Sequence, residues 1–202
     1  MKDKKRAVAV IPYIVVAGLT VIILCILYWG IDIHRPIIYD GDGVSATYLF
    51  KTIEDTGWFL ENPWVGGIYG GNWGDYTMCD NLSFFLVKLL SLFFDNCFLM
   101  YNIFYFLTYV LVALTAFGVF RALKVNTVAG ATGALLYSFL AYHQFRVSHI
   151  WLTPYFMVPL GLLVAVWIAS DSYGIDGLKG RSLFCNKKVI ASGVILFLCA
   201  FT

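Results

Sequence analysis

The fold is decided first by residues 7–29, which read AVAVIPYIVVAGLTVIILCILYW and follow basic residues at positions 2, 4, 5 and 6. A helix needs roughly 20 mostly apolar residues to cross ~30 Å of hydrocarbon, and this stretch is long enough. A cleaved signal peptide also has a basic start, but its apolar core is only about 7–15 residues and ends at small residues. Here the stretch ends at Tyr28 and Trp29, which are typical interfacial anchors. We predict an uncleaved first span with a cytoplasmic N-terminus.

Similar apolar blocks recur along the 202 residues, of which 60% are hydrophobic, 18% aromatic and 13% charged. A soluble domain has too few interior positions to bury that much apolar surface. The composition predicts an all-α, polytopic helical membrane protein with a single transmembrane domain. About five spans are expected, at residues 7–29, 98–120, 127–142, 151–169 and 189–202. A net charge of +2 is too small to indicate nucleic acid as a partner, so membrane lipids are the expected surroundings.

The external loop 30–97 follows the first span and carries nine of the twelve acidic residues. Helices are predicted at 44–60 and 82–94, on either side of a glycine-rich stretch, 66–74, that should be irregular. The second helix is apolar almost all round but reaches only about 20 Å. Its length alone therefore makes it a poor membrane span.

The distribution of Lys and Arg gives a second test of whether 82–94 crosses the membrane. If it does not cross, ten of the fourteen basic residues share the side of the N-terminus. If it crosses, every later loop inverts and most basic residues fall on the opposite side. The positive-inside rule favours the first arrangement. We predict that 82–94 lies along the outer interface, and that residues 143–150 face outward beside the external loop.

Two acids just beyond the first span are the first candidates for chemistry. Asp40 and Asp42 lie in the motif Tyr39-Asp40-Gly41-Asp42-Gly43. The glycines allow a tight turn and leave Asp42 accessible. A carboxylate there could act as a general base towards a hydroxyl, or could hold a divalent cation. An acidic turn in a solvated loop is the alternative, and the residues alone leave both open.

A second candidate set lies in the connection 143–150, where His143, Arg146 and His149 occur together. A guanidinium and two imidazoles could hold a phosphate through charge-assisted hydrogen bonds. The alternative is an interfacial hairpin that extends its polar groups into water.

A third set lies in the second half of the external loop. Trp73 belongs to a group of aromatic residues that could stack on sugar rings, although such residues are also ordinary interfacial anchors. Asp75 and Asp80 are close in sequence and could join the acidic site or contact a sugar or an acceptor.

The arrangement of these features resembles a known family. A basic start, one span and a large external loop that opens with an acidic motif are similar to the GT-C-fold membrane glycosyltransferases of bacteria. These include the protein mannosyltransferases and aminoarabinose transferases. The resemblance rests on Tyr39 to Gly43, Asn62-Pro63, Asp80-Asn81-Leu82, Tyr142-His143 and Arg146 to His149, and covers residues 8–170. One departure is the Asp-Gly-Asp pattern, where the mannosyltransferases often have an Asp-Glu pair.

The resemblance implies a GT-C-like fold and transfer of a sugar from a polyprenyl-phosphate-linked donor to an acceptor at the outer face of the cytoplasmic membrane. The family's catalytic acid would fall on Asp40 or Asp42, with Asp42 preferred. Arg146, His143 and His149 would lie near the donor phosphate. No cofactor is implied with certainty, although a divalent cation could take part. The alternatives are a component of a lipid-linked glycan transporter or flippase, and a non-catalytic assembly subunit. Because the last apolar block stops at Thr202, we expect the chain to be the N-terminal part of a longer membrane protein or the product of a truncated reading frame.

Overall fold

The computed structural model describes residues 2–74, 80–170, 173 and 186–201, with side chains from residue 9 onward. Within these ranges the chain is mostly helical, which confirms the predicted all-α secondary structure. The helices are α1 (Lys2–Leu27), α2 (Asp42–Thr56), α3 (Asn81–Leu90), α4 (Cys97–Ala122), α5 (Thr127–Ser138), α6 (Ala141–Gln144), α7 (Met157–Ala169) and α8 (Lys187–Cys199). A two-residue antiparallel ladder joins β1 (Glu61–Asn62) to β2 (Gly71–Asn72).

Within the described residues, three segments are long and apolar enough to cross a membrane: Ala9–Leu27, Cys97–Ala122 and Ile150–Ala169. The other two predicted spans correspond to shorter helices, α5 with 12 residues and α8 with 13. A count of five spans therefore stays a prediction. Helix α3 has only 10 residues, or about 15 Å, which is too short to cross a bilayer.

Helix α4 is the centre of the bundle. Asn96 begins it by accepting a hydrogen bond from the backbone N–H of Leu99 at 2.9 Å, as an N-cap residue does. Its buried side chains face α1, α2, α3, α5 and α7. Helix α1, in contrast, buries only a narrow stripe that includes Val16 and Leu24, and leaves most of its large apolar side chains exposed. An apolar surface of that kind on a long helix is suited to contact with lipid.

Helix α5 runs back along α4 but stops near its middle. The hydroxyl of Ser138, the last residue of α5, donates to the carbonyl of Tyr109, which lies halfway along α4. The sequence predicted one continuous span over 127–142, whereas the helix ends at Ser138 and only a short turn of helix, α6, follows. Irregular chain covers the remaining distance to the start of α4. There the hydroxyl of Tyr101 donates a hydrogen bond to the carbonyl of Val147.

The N-terminal end of α4 collects the segments that carry the candidate residues. We call this region the loop end; it comprises α2, α3 and residues 143–152. Its core is aromatic: the ring of Trp151 stacks on Phe50 at 5.6 Å and contacts Phe84 at 4.7 Å. The amide of buried Asn102 also donates to the carbonyls of Ile33 and Arg35, at 2.9 and 2.7 Å, and so fixes the chain that leaves α1.

Candidate functional site

The acidic motif forms the start of helix α2. Gly41 has φ +48°, a conformation that side chains disfavour, and the backbone N–H of Gly43 donates to the carbonyl of Asp40 at 3.0 Å. This turn makes Asp42 the first residue of α2, where the helix dipole favours a negative charge. The Asp42 side chain is 70% exposed and therefore accessible from solvent.

His149 reaches Asp42 from the irregular segment after α6. Its Nδ1 lies 2.8 Å from Oδ2 of Asp42, and its side chain is 42% exposed. The two backbones are neighbours, because a methyl group built on Gly43 would lie 3.7 Å from Cα of Ser148. Residues more than 100 positions apart in sequence thus form one exposed acid–imidazole pair.

The pair opens on a cavity of about 280 Å³ at the loop end. Trp73 lines the same cavity, and its indole N–H approaches the hydroxyl of Tyr48 at 3.5 Å. The described lining residues are Asp42, Ser45, Ala46, Leu49, Trp73, Ser148, His149, Trp151 and Leu152. A carboxylate, an imidazole, two hydroxyls and two indole rings therefore surround one small space.

The contact between Asp42 and His149 indicates which ring nitrogen of His149 can accept a proton. A carboxylate can only accept a hydrogen bond, so a hydrogen bond across this 2.8 Å contact requires the proton to be on Nδ1 of His149. In the neutral ring the lone pair is then on Nε2, which can accept a proton from a ligand. This is how a carboxylate orients an imidazole for general-base work.

His143, the other histidine of the motif, lies elsewhere. It is fully buried, and its ring stacks on Tyr109 at 3.6 Å with an interplanar angle of 8°. Nδ1 donates to the carbonyl of Ser138 at 3.1 Å, and Nε2 lies 2.9 Å from the hydroxyl of Thr108, which also contacts the carbonyl of Tyr105 at 2.6 Å. The structure therefore joins His149 to Asp42 but does not bring His143 to them.

Asp80 lines a second cavity, and Arg146 contacts Tyr142, which belongs to the same lining. The Arg146 guanidinium covers the ring of Tyr142, 5.2 Å from its centroid. Tyr142 and Asp80 line this second cavity, of about 260 Å³, which shares Trp151 and Leu152 with the first. Burial raises the pKa of the Asp80 carboxyl, which also caps α3 by accepting from the backbone N–H of Ser83 at 3.1 Å.

The remaining candidates are less central. Asp40 is exposed, and its backbone supports the turn before α2. Asp75 lies outside the described residues. Sequence reasoning missed Ser45, Ser148 and Trp151 as lining residues. Ser45 could have been found, because it follows Asp42 by three positions on a helix and so shares its face. Ser148 and Trp151 flank His149 closely, and the sequence offers no other signal for them.

In the part of the chain that the structure describes, no group of three His, Cys, Asp or Glu side chains is arranged to hold a metal ion. Fold and site together define a helical protein in which three of the described segments are long and apolar enough to cross a membrane, with a small polar and aromatic cavity at one end of the bundle. Comparison with models of known families, with curated proteins and with solved structures finds no match for this chain.

Proposed function

We propose that this chain is a membrane glycosyltransferase of GT-C type, which transfers a sugar from a polyprenyl-phosphate-linked donor to an acceptor at the outer face of the cytoplasmic membrane. The observation that carries the proposal is the 2.8 Å contact between Asp42 and His149 at the edge of an open cavity. The cavity is also lined by two indole rings, Trp73 and Trp151, which are suited to pack on a sugar face.

The proposed reaction is an inverting displacement at the anomeric carbon. Asp42 holds the His149 ring with its proton on Nδ1, and Nε2 takes the proton of the acceptor hydroxyl. The acceptor oxygen forms a bond to the anomeric carbon while the bond from that carbon to the phosphate oxygen breaks. The lipid phosphate leaves with the bonding electron pair, so no oxidant or other co-reactant is required.

Arg146 is the residue proposed to receive the departing phosphate. It lies three residues before His149, and its guanidinium is partly exposed over Tyr142. A planar guanidinium can bind two phosphate oxygens at once, which stabilises the charge that develops as the bond breaks. His143 has no part in this step, because both of its ring nitrogens have partners inside the bundle.

The test is transfer in reconstituted vesicles. The full chain is supplied with short-chain polyprenyl phosphates that carry a radiolabelled hexose, and labelled product is separated from lipid. The proposal expects transfer that depends on Asp42 and His149. Binding of polyprenyl phosphate with no transfer to any acceptor would contradict it, and would favour a transporter component or a non-catalytic subunit.

A further inference from the structure

Helix α5 ends inside the bundle, and the side chain of His143 is a hydrogen-bond partner for the carbonyl of its last residue, Ser138. The last carbonyls of a helix lack partners within it and need others when they are buried. The Ser138 carbonyl accepts the Nδ1 proton of His143 at 3.1 Å, with a longer contact of 3.4 Å from the Tyr155 hydroxyl. His143 therefore acts as a side-chain cap at this point.

The sequence gives no local reason for the helix to stop there. Residues 139–142 are Phe, Leu, Ala and Tyr, with no glycine or proline to break a helix. Uninterrupted helix would carry the chain straight on by 1.5 Å per residue. The break must therefore be held by tertiary contacts, and those of His143 include Ser138, Thr108 and the ring of Tyr109.

The position of His149 depends on the course of the chain after this break. From His143 the chain passes Val147, which accepts from Tyr101, and reaches Asp42 two residues later. We infer that His143 is a positioning residue, which ends α5 and directs residues 144–149 so that His149 meets Asp42. Its importance for catalysis rests on the proposed function, whereas its effect on the Asp42–His149 contact can be measured without any substrate.

Side-chain NMR can follow that contact, because the chain has only three histidines: His34, His143 and His149. The full chain is labelled with ¹⁵N-histidine in lipid nanodiscs, with His34 as an internal reference. Asp42→Asn defines the ring-nitrogen signal of His149 when its carboxylate partner is lost. His143→Leu should shift the His149 signal to the same position, and His143→Asn should keep it near wild type. Asn and Leu have similar shapes, but Asn retains a nitrogen that can donate to Ser138.

A milder pair of variants covers the case in which His143→Leu does not fold. Thr108→Val removes the other polar partner of the ring, and should also shift the His149 signal. Thr115→Val is the matched control, because Thr115 lies two turns further along α4 and bonds only to its own helix, at Leu111 and Val112. Wild-type His149 signals in folded Thr108→Val or His143→Leu protein would overturn the inference.

Transfer activity separates this inference from the proposed function. If the wild-type chain transfers sugar, His143→Leu should reduce the rate about 10²-fold, as expected for a small misplacement of a catalytic group, and His143→Asn should restore most of it. If the wild-type chain transfers none, the proposed function fails. The NMR signals then decide the positioning role alone.

Discussion

Replacing Asp42 by Asn tests the proposed site most directly. The change keeps the size of the side chain but removes its negative charge, so it no longer holds the His149 ring with the proton on Nδ1. Because His149, the proposed general base, then lacks the carboxylate that orients it, transfer should fall by about 10²- to 10⁴-fold, the usual contribution of general-base catalysis. That loss corresponds to about 3–5 kcal/mol of activation free energy.

The same substitution should hardly change the stability of the fold. Asp42 is 70% exposed and His149 is 42% exposed, so the pair is largely in solvent. Exposed ion pairs contribute about 0–1 kcal/mol to the free energy of unfolding. The structure therefore predicts a large loss of rate together with a small change in melting temperature, a combination that general unfolding cannot produce.

The assay is initial rate in vesicles, with melting temperature measured on the same preparations. Asp32→Asn is the matched control, because Asp32 is an exposed acid beside His34, at 3.5 Å, and Arg35, at 3.2 Å. It should leave the rate unchanged, and so should Asp40→Asn. Equal rates for wild type and Asp42→Asn would refute the reasoning, and so would equal losses in the Asp42 and Asp32 variants.

Three further predictions concern residues around the site. Arg146→Gln should raise the KM for the lipid donor about 10-fold or more, because a charge-assisted hydrogen bond of ~1.5–3 kcal/mol to phosphate is lost. Steady-state kinetics with varied donor concentration measure this KM. Gly66→Ala should destabilise the β1–β2 hairpin by ~1–3 kcal/mol, because Gly66 has φ +84° and an added Cβ would lie 2.4 Å from the carbonyl oxygen of Gly70; thermal unfolding measures it. Asp80→Asn should become more stable relative to wild type as the pH rises above 3.8, the ordinary pKa of the group, since its oxygen still caps α3 and the buried charge is gone.

The sign of the Asp80 prediction follows from proton linkage. Burial raises the pKa of Asp80 above the ordinary 3.8, so the folded chain keeps a proton that the unfolded chain has already released. The folded state of wild type therefore loses stability as the pH rises through the interval between these two pKa values. A stability difference between wild type and Asp80→Asn that stays constant with pH would contradict it. An unchanged donor KM in Arg146→Gln, or a Gly66→Ala protein as stable as wild type, would contradict the other two.

Much of the architecture can be read from the residues alone. Apolar blocks of about 20 residues favour helices in a lipid environment, because a helix of that length spans the hydrocarbon and satisfies its backbone hydrogen bonds within the segment. Charge counting placed residues 143–150 beside the acidic loop, and the 2.8 Å contact between Asp42 and His149 joins those two segments. The sequence predicted that residues 82–94 form a helix too short to span a membrane, and helix α3 has only 10 residues.

Other features depended on contacts between distant segments. The sequence could not separate His143 from His149, since both follow an apolar block and both are potential ligands of phosphate. Burial separates them: the break after Ser138 directs one ring into the bundle and lets the other reach the cavity.

The first apolar stretch, residues 7–29, shows what local sequence determines and what depends on contacts between distant segments. Its composition determined by itself that it forms a helix suited to lipid, because that property depends on length and hydrophobicity alone. Where α5 ends, which carboxylate meets an imidazole and which aromatic rings surround them were decided only by the tertiary structure. These features arise from packing and hydrogen bonds between residues far apart in the chain, and local sequence does not encode such contacts.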